Sequence, residues 1–271
     1  MTSAIDTYLL SSGEAERNRL RLQARVWEPE AEIMLDQIGV GPGWQCVDVG
    51  CGGMGILGPL SRRVAASGHV IGVDIDPIQI AAAHAFVAET ELSNVEILQR
   101  DAYNTGLPRE SFDLVHARFV FAPAGRDEAL LREMLALAAP GGVLAIQEPD
   151  ASSWNCFPPN AAWDRLKSVI LSAFVQSGGD FNAGRRTYSM LRHAGLEDVR
   201  IRAAVLALHS RHPYLRLPIL FATSLRQRIL ERELLREADL DDAIAECECV
   251  AAAAGTFGLS FTVTQVWGRK P

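Results

Sequence analysis

The sequence predicts an α/β fold: a doubly wound, mostly parallel sheet of seven strands whose last strand runs antiparallel, with extra helices at the N-terminus and between strands six and seven. Two observations carry this prediction. Short apolar runs rich in β-branched residues alternate with helical patterns over residues 45–147, which is typical of a parallel sheet with helices on both faces. The second half of the chain then changes to longer helical stretches and ends in one alternating strand pattern.

Chain length and composition indicate a self-sufficient globular protein. Its 271 residues are enough to bury a sizeable core. The 48% hydrophobic and 22% charged residues exclude a disordered or fibrous chain. We expect an N-terminal helical cap over residues 1–40 and one catalytic domain over residues 41–271, with a helical insertion at about 208–255. No repeat or low-complexity linker divides the chain.

The charge balance argues against nucleic acid as a partner. The net charge is -7, whereas nucleic-acid binders usually gather Lys and Arg on one face. A membrane partner is not expected either, because no apolar stretch approaches about 18 residues. Residues 1–20 are too polar for a signal peptide. We therefore expect a cytoplasmic protein, either a monomer or a homodimer.

The cysteines give no metal or disulfide pattern. The chain has five cysteines, scattered along its length, which fits a reducing compartment. Cys247 and Cys249 are two residues apart in a helical pattern and so point to different sides, a poor geometry for sharing a metal. No metal site is expected.

The N-terminal elements are predicted to be two helices. Apolar residues recur among charges over residues 13–27 and 30–38, and Pro29 separates the two segments because proline interrupts helical hydrogen bonding. The next elements alternate: strand 46–49, helix 56–67, strand 70–73, helix 77–90, strand 95–99, strand 112–117, helix 127–138 and strand 143–147.

The second half is predicted to be mainly helical. Helices are expected over residues 161–177 and 185–194, each ended by glycine, with a sixth strand over 199–203. Within the insertion, residues 215–254 should be largely helical, with Asp239 as a plausible helix cap. Its apolar stretch 215–221 suits a pocket wall, ordinary core or a dimer face. The final strand, 261–267, should return antiparallel at the sheet edge.

A glycine-rich turn joins the first strand to the first helix of the sheet. In that position Gly50, Gly52 and Gly55 permit positive φ and a close approach of the backbone to a ligand. Their spacing fits a nicotinamide dinucleotide and S-adenosylmethionine equally well, so the turn alone does not identify the cofactor.

Aspartates follow the second and third strands in register with this turn. Asp74 comes about 20 residues after the glycines, where a carboxylate can accept hydrogen bonds from both ribose hydroxyls. Asp101 could accept from an adenine amine while the Ala102 backbone contacts the ring edge. Asp76, just before Pro77, is expected to cap the next helix. Taken singly, each aspartate could be an ordinary cap or loop residue.

Together these residues resemble the class I S-adenosylmethionine-dependent methyltransferases of the UbiE-like, Rossmann-type superfamily. The matching segments are 47–55, Asp74, Asp101 with Ala102, 112–118 and 137–144. The likeness is close over residues 40–150 and looser up to residue 269. One departure is Met54, since relatives usually carry the third glycine at that position; this affects the path of the turn.

The resemblance implies the site residues. The cofactor S-adenosylmethionine would be bound by Tyr8, Arg25, Gly50, Cys51, Gly52, Asp74, Ile75, Asp101, Ala102 and Arg118. Arg118 would lie near the amino-acid end of the cofactor. The N-terminal segment resembles the lid of such enzymes, so that Tyr8, Arg19, Gln23 and Arg25 could reach the cofactor carboxylate. Arginines on a helix are also commonly solvated.

Methyl transfer chiefly requires alignment in a site that excludes water, and a general base is optional. The candidate bases are His209, His212 and Glu148, although an ordinary core or surface histidine is the commoner case. Additional candidates for holding or orienting the acceptor are His116, Asp150, Tyr188 and Tyr214. Trp154 and Phe157 could form an aromatic wall for the substrate.

The predicted function is methyl transfer to the O, N or C atom of a small, secondary-metabolite-like molecule. One alternative is an NAD(P)-dependent oxidoreductase, but no tyrosine has a lysine four residues later, so the Tyr-Lys pair of short-chain dehydrogenases is absent. Another alternative is a protein that binds S-adenosylmethionine without transferring its methyl group, since fold and cofactor do not fix the chemistry.

Overall fold

The computed structural model describes residues 13–271. The strands in this part of the chain are β1 (Gln45–Val49), β2 (His69–Asp74), β3 (Val95–Gln99), β4 (Phe112–Arg118), β5 (Ala138–Asp150), β6 (Asn155–Phe157), β7 (Glu197–Ala204), β8 (Ala207–His209), β9 (Phe257–Leu259) and β10 (Thr262–Arg269). The helices are α1 (Glu14–Ile38), α2 (Leu57–Val64), α3 (Pro77–Glu89), α4 (Phe121–Ala124), α5 (Asp127–Leu137), α6 (Ala161–Gln176), α7 (Gly184–His193), α8 (Leu217–Ser224), α9 (Arg226–Glu231) and α10 (Glu237–Ala252).

Seven of the described strands form one sheet in the order β3-β2-β1-β4-β5-β10-β7. The first five pair in parallel, and β10 runs antiparallel to both neighbours, which confirms the predicted fold class. The predicted edge position of the last strand was wrong. The strand β10 lies between β5 and β7, with six consecutive residues buried, and the more exposed β7 takes the edge.

Helices cover both faces of the sheet. The helices α2 and α3 contact β1–β3 on one face, and α5 and α7 contact β4, β5, β7 and β10 on the other. Alternate residues of each strand supply the two cores, with Leu114 and Ala145 on the first face and Val115 and Leu144 on the second. The carboxyl ends of β1–β4 therefore meet along one edge of the molecule.

The N-terminal segment is a single helix, α1, rather than the two helices that the sequence predicted. Pro29 lies inside it. The proline removes one helical hydrogen bond, at a cost of about 3 kcal/mol. Packing outweighs this cost because Trp27, Ala31, Met34 and Leu35, on both sides of the proline, are fully buried.

Two further boundaries differ from the sequence prediction. The strand β5 already begins at Ala138, in a stretch whose Pro-Gly-Gly sequence suggested a turn, because a register shift lets this irregular segment pair with β4. Asp239 does not cap α10; that helix begins at Glu237, so Asp239 lies in its first turn and forms an ion pair with Arg236. Asp76 caps α3 as predicted, accepting a hydrogen bond from Ile78 N at 2.8 Å.

The C-terminal insertion forms a helical layer over the carboxyl end of the sheet. The helices α8, α6 and α10 contact one another, and α8 also packs against α1. The apolar residues of α8 are buried in this layer, which makes segment 215–221 core. A second sheet, β6-β9-β8, closes the end of this layer. It was not predicted, because three-residue strands carry too little periodicity. Within residues 13–271, no helix is long and apolar enough to cross a membrane.

Candidate cofactor site

A cavity of about 320 Å³ opens where β1, β2, β3 and β4 end, with α1 as its opposite wall. Open α/β sheets bind ligands at this edge. The sheet side of the wall consists of Asp48, residues 50–55, residues 74–76, Gln79, Ala82, residues 101–103 and residues 118–120. The remaining wall consists of Glu16, Arg17, Leu20, Arg21, Gln23, Ala24, Pro123, Ala124, Arg126 and Ser177.

The glycine turn requires glycine at specific positions. Gly50, Gly52 and Gly55 all have positive φ, at 71°, 57° and 48°. A Cβ on Gly50 would lie 2.5 Å from Val120 Cγ2, and one on Gly55 would lie 2.1 Å from Asp48 Oδ2. A Cβ on Gly52 would meet nothing closer than 3.9 Å, so that residue keeps the cavity wall open. Gly55, which follows Met54, is thus the residue that the turn geometry demands.

Asp74 connects β2 to the turn. Its Oδ2 accepts a hydrogen bond from Gly52 N and its Oδ1 accepts one from Asp76 N, both at 2.9 Å. Burial in the cavity wall raises the pKa of this carboxyl, and the backbone donors oppose the shift. Each carboxylate oxygen has capacity for a further hydrogen bond, so Asp74 can accept from two hydroxyl groups in the cavity.

A slot follows β3. The carboxylate of Asp101 accepts a hydrogen bond from Tyr103 N at 2.9 Å, and the Tyr103 hydroxyl donates to Ala124 O at the same distance. The guanidinium of Arg126 lies 4.0 Å from the centroid of the Tyr103 ring. Ile75, Ala102 and this fixed ring line the cavity together and suit a flat aromatic ligand. Sequence reasoning missed Tyr103, although its place directly after Asp101-Ala102 was the available signal.

Arg118, at the end of β4, places its guanidinium against the glycine turn. Its Nη2 donates to Gly55 O at 2.7 Å, whereas its Nη1 is buried without a hydrogen-bond partner. Burial lowers the pKa of this guanidinium, and nearby Asp48 opposes the shift. Buried donors are nearly always satisfied. An unsatisfied guanidinium N–H at the cavity wall therefore fits a ligand that carries an acceptor, such as a carboxylate.

The helix α1 presents a different set of residues from the predicted one. Arg17 and Arg21 line the cavity, whereas Arg25 is exposed and lies outside it. Arg25 is eight residues after Arg17, about 80° further round the helix, and so points away. Arg19 is buried instead against α8, with its guanidinium 4.2 Å from the centroid of the Phe221 ring. Tyr8 lies outside the described residues.

Two polar residues of α1 are held by Arg19. Its guanidinium donates twice to the Glu16 carboxylate, at 2.6 and 2.8 Å, and once to Gln23 Oε1 at 2.8 Å. Glu16 and Gln23 both border the cavity, so the buried arginine fixes their orientation there. Of the α1 residues predicted to reach the ligand, Gln23 alone among those described contributes to the wall.

Glu148 does not line the cavity. Its carboxyl oxygens accept hydrogen bonds from the backbone N–H groups of Val120, Phe121 and Ala122, at 2.8 to 3.0 Å. Complete burial raises its pKa to about 8, against the effect of these three donors. The Glu148 side chain therefore satisfies the backbone N–H groups at the start of α4, as a helix cap would. It thereby fixes the segment after β4, which includes the cavity residue Val120.

His209 and His212 are also placed away from the cavity. The chain passes from β7 into β8, which pairs with β9, so both histidines lie at the end of the small sheet. His209 is exposed, and its Nδ1 lies 2.8 Å from Ser210 O. His212 Nδ1 accepts a hydrogen bond from Tyr214 N, and burial and nearby His209 lower its pKa. The structure thus brings neither histidine to the candidate cofactor residues.

The other orienting candidates have partners elsewhere. The ring of Trp154 stacks on Phe181 in the core, and that of Phe157 stacks on Phe257 in the small sheet, so neither forms an aromatic wall. The side chains of three further candidates are engaged away from the cavity or behind its wall: Asp150 pairs with Arg185, Tyr214 accepts from Trp27 Nε1, and His116 contacts Asp48. Tyr188 is exposed.

Comparison with known proteins decides what this site serves. A family model described as "Methyltransferase domain" matches residues 41–195, more than half of the chain. The chain belongs to this methyltransferase family. It uses S-adenosylmethionine as cofactor, and the NAD(P)-dependent alternative is set aside. The glycine turn, Asp74 and the unsatisfied Arg118 all fall within the matched segment.

Individual relatives are also methyltransferases. The chain is 32% identical to the nocamycin O-methyltransferase of Saccharothrix syringae over 64% of its own length and 66% of that protein. It is 27% identical to the N-methyltransferase tcpN of Claviceps purpurea over 77% of its length and 75% of that protein. The chain thus spans about two thirds to three quarters of these relatives.

The fold has a counterpart among solved structures. A phosphoethanolamine N-methyltransferase 2 from Haemonchus contortus, solved with phosphomonomethylethanolamine and S-adenosylhomocysteine, aligns with a TM-score of 0.52 at 16% identity. The alignment covers 89% of this chain and 52% of that one, and at this identity it establishes the fold alone.

Proposed function

We propose that this S-adenosylmethionine-dependent methyltransferase acts on a small, secondary-metabolite-like molecule, and that the atom methylated is an oxygen that is already ionised at neutral pH, as in a carboxylate or an acidic enol. The observation that carries the proposal is the charge of the α1 wall of the cavity. Arg17 and Arg21 line it, and within residues 13–271 neither forms an ion pair. Two cations one helical turn apart repel each other, so an anion between them would be stabilised.

The described residues that line the cavity also include no evident general base. Among the described residues, no histidine lines it. The Glu16 carboxylate is paired with Arg19, and that of Asp48 contacts His116. An acceptor that is already ionised needs no proton transfer before it attacks, whereas a neutral alcohol would.

The cofactor residues follow from the same geometry. When bound, S-adenosylmethionine supplies an electrophilic methyl group on sulfur. We assign Asp74 to its ribose hydroxyls, Asp101, Ala102 and Tyr103 to its adenine, and Arg118 to its carboxylate. The backbone of the glycine turn approaches the ligand without side-chain interference. The cavity wall of α1 shields the reacting atoms from water.

The remaining expectations belong to the same proposal. We assign residues 1–40 to a cap over a catalytic domain formed by residues 41–271; the described part of this cap, α1, supplies one wall of the cavity. The net charge of -7 supports a small-molecule substrate rather than nucleic acid. A cytoplasmic monomer or homodimer fits the sequence.

Paired acceptors test the proposal. The protein is incubated with methyl-labelled cofactor and a panel of small aromatic and polyketide-like molecules, each offered as a carboxylic acid, its amide, an alcohol and an amine. Mass spectrometry then detects labelled product. We expect label in acids or acidic enols and none in the matched amides and alcohols. Label confined to amines would overturn the oxygen assignment and favour N-methylation, the chemistry named for the tcpN relative.

A further inference from the structure

A row of five polar side chains crosses five neighbouring strands of the main sheet. Its members are Asp48 on β1, His116 on β4, Gln147 on β5, Gln265 on β10 and Arg202 on β7. The first four are at most 1% exposed. Strand pairing places them side by side on one face: Asp48 opposes His116, Gln147 opposes Gln265, and Gln265 opposes Arg202. We call this set the polar row.

Hydrogen bonds connect every neighbouring pair in the polar row. His116 Nδ1 lies 2.7 Å from Asp48 Oδ1, and Gln147 Nε2 lies 2.8 Å from His116 Nε2. Gln265 Nε2 donates to Gln147 Oε1 at 2.7 Å, and Arg202 Nη1 donates to Gln265 Oε1 at 2.6 Å. Strands are about 4.8 Å apart, so the row spans roughly 19 Å from β7 to β1.

The two ends of the polar row fix its direction. A guanidinium can only donate, so Gln265 must turn its oxygen toward Arg202 and its amide N–H toward Gln147. Gln147 then presents its oxygen to Gln265 and its N–H to His116. The imidazole must therefore accept at Nε2 and donate from Nδ1 to Asp48, which accepts as a carboxylate. Each donor points the same way, and such chains polarise one another cooperatively.

One end of the row lines the cofactor cavity, and the other end contacts α1, the helix whose N-terminal part forms the opposite wall. At one end, Asp48 lines the cavity and its Oδ2 accepts a hydrogen bond from Ile56 N at 3.1 Å, at the close of the glycine turn. At the other end, Gln265 Nε2 also donates to Glu30 O of α1 at 3.0 Å, and Arg202 forms an ion pair with the Glu30 carboxylate. Glu30 directly follows Pro29, which cannot donate a helical hydrogen bond.

We propose that the polar row is a positioning network that joins the glycine turn to α1, and that His116 is its central positioning residue, orienting the Asp48 side chain by donating from Nδ1. The proposal rests on the cofactor class of the protein and is independent of the proposed acceptor. Gln265 and Arg202, which do not line the cavity, then contribute to cofactor affinity from three and four strands away.

The first test is affinity for S-adenosylhomocysteine, measured by calorimetry without any acceptor. Gln265→Met keeps the side-chain volume and removes the hydrogen-bonding amide. We expect it to weaken binding by roughly three- to thirtyfold, the range for residues that act on a site through intermediates. The matched control is Val266→Ala, on the same strand but on the opposite face of the sheet. It should lower stability without weakening binding.

The second test reads the imidazole directly in the ligand-free protein. Two-bond nitrogen–proton correlations in NMR spectra show which ring nitrogen carries the proton, and the His116→Gln spectrum identifies the signal. We expect a neutral ring protonated at Nδ1 in the wild type, and a mixture of tautomers in Gln265→Met. If Gln265→Met does not fold, Arg202→Met, at the half-buried end of the row, releases the same constraint.

Three results would overturn the proposal. A wild-type ring protonated at Nε2 contradicts the direction of the polar row. An affinity loss in Gln265→Met that matches the loss in Val266→Ala would mean that the loss comes from lowered stability and not from the polar row. Unchanged affinity and tautomer in both Gln265→Met and Arg202→Met would mean that the distant end of the row does not act on the site. Failure of the acceptor screen alters none of these readouts.

Discussion

Arg118 Nη2 donates to Gly55 O at 2.7 Å, so the guanidinium of the residue that ends β4 closes the glycine turn of β1 from the neighbouring strand. The contact fixes the side chain and leaves Nη1 buried and unsatisfied. An arginine that is held in place before the ligand arrives loses little side-chain entropy on binding it. We therefore propose that the pair joins turn stability to the binding of an anionic group.

The first prediction concerns Arg118 and the cofactor carboxylate. Arg118→Gln should weaken binding of S-adenosylhomocysteine by about 1.5–3 kcal/mol, as expected for a lost charged hydrogen bond. Binding of methylthioadenosine, which lacks the amino-acid group, should fall much less. Calorimetry of both ligands checks this. An equal loss for both ligands would mean that Arg118 acts only by stabilising the turn and does not contact the cofactor carboxylate.

The second prediction concerns Asp74. Asp74→Ala should weaken S-adenosylhomocysteine binding by about 1.5–3 kcal/mol because it removes the acceptor for the ribose hydroxyls. Asp76→Ala is a suitable comparison, since it removes the cap of α3 and should lower stability by about 1 kcal/mol with a smaller effect on affinity. Parallel calorimetry and urea unfolding separate the two effects. Undiminished affinity in Asp74→Ala would refute the ribose assignment.

The sequence predicted those features that depend on local pattern. The order and boundaries of most strands follow from period and breaker residues, and Asp74, Asp101 and Arg118 lie at strand ends, which a parallel sheet brings to one edge. Tyr103 lay beside a recognised position and could have been inferred.

Features that depend on tertiary contacts were not predictable in this way. The continuity of α1 through Pro29 depends on buried packing, and so does the orientation that turns Arg17 and Arg21 rather than Arg25 to the cavity. His209 and His212 were predicted as candidate bases, but neither lines the cavity. Their actual location is set by a pairing of β8 with β9, about fifty residues away in sequence, for which three-residue strands give no signal.

The third prediction concerns Gly55. Gly55→Ala places a side chain at a backbone φ of 48°, which is strained for alanine, and brings its Cβ to 2.1 Å from Asp48 Oδ2. Gly141→Ala is matched for backbone strain alone, with a φ of 76° and no atom within 4 Å of the added Cβ. We expect Gly141→Ala to lose about 1–2 kcal/mol of stability and keep cofactor affinity, whereas Gly55→Ala loses more stability and binds S-adenosylhomocysteine poorly. Equal unfolding free energies for the two variants would contradict the clash.

The fourth prediction is a pH dependence caused by Glu148. Its pKa is raised by burial from 4.5 to about 8 in the folded protein. Between these values the folded state keeps a proton that the unfolded state has released, so rising pH favours unfolding. The contribution to stability is complete below about pH 4.5 and is lost as pH rises through 8, at up to about 1.4 kcal/mol per pH unit.

Urea unfolding at intervals from pH 5 to 9 tests this effect. Glu148→Gln has no titrating group there, so the difference in unfolding free energy between wild type and variant should shift steadily toward the variant as pH rises. The contribution of His212, whose lowered pKa acts in the opposite direction, is common to both proteins and cancels in the difference. A difference that is constant with pH would show that Glu148 does not hold its proton.

The fifth prediction concerns the two cationic residues of α1. If Arg17 and Arg21 bind an anionic acceptor, Arg21→Gln should raise KM for that acceptor by roughly tenfold, equivalent to about 1.4 kcal/mol. The value of kcat should stay nearly unchanged, because the substitution weakens binding of the ground state and the transition state alike. Arg25→Gln removes the same charge from the same helix outside the cavity and should change KM little. Equal effects of the two substitutions would indicate long-range attraction by net charge rather than a contact in the cavity. That distinction can be sharpened with salt, since a long-range effect fades as the Debye length falls below about 10 Å, while a contact within a closed cavity persists.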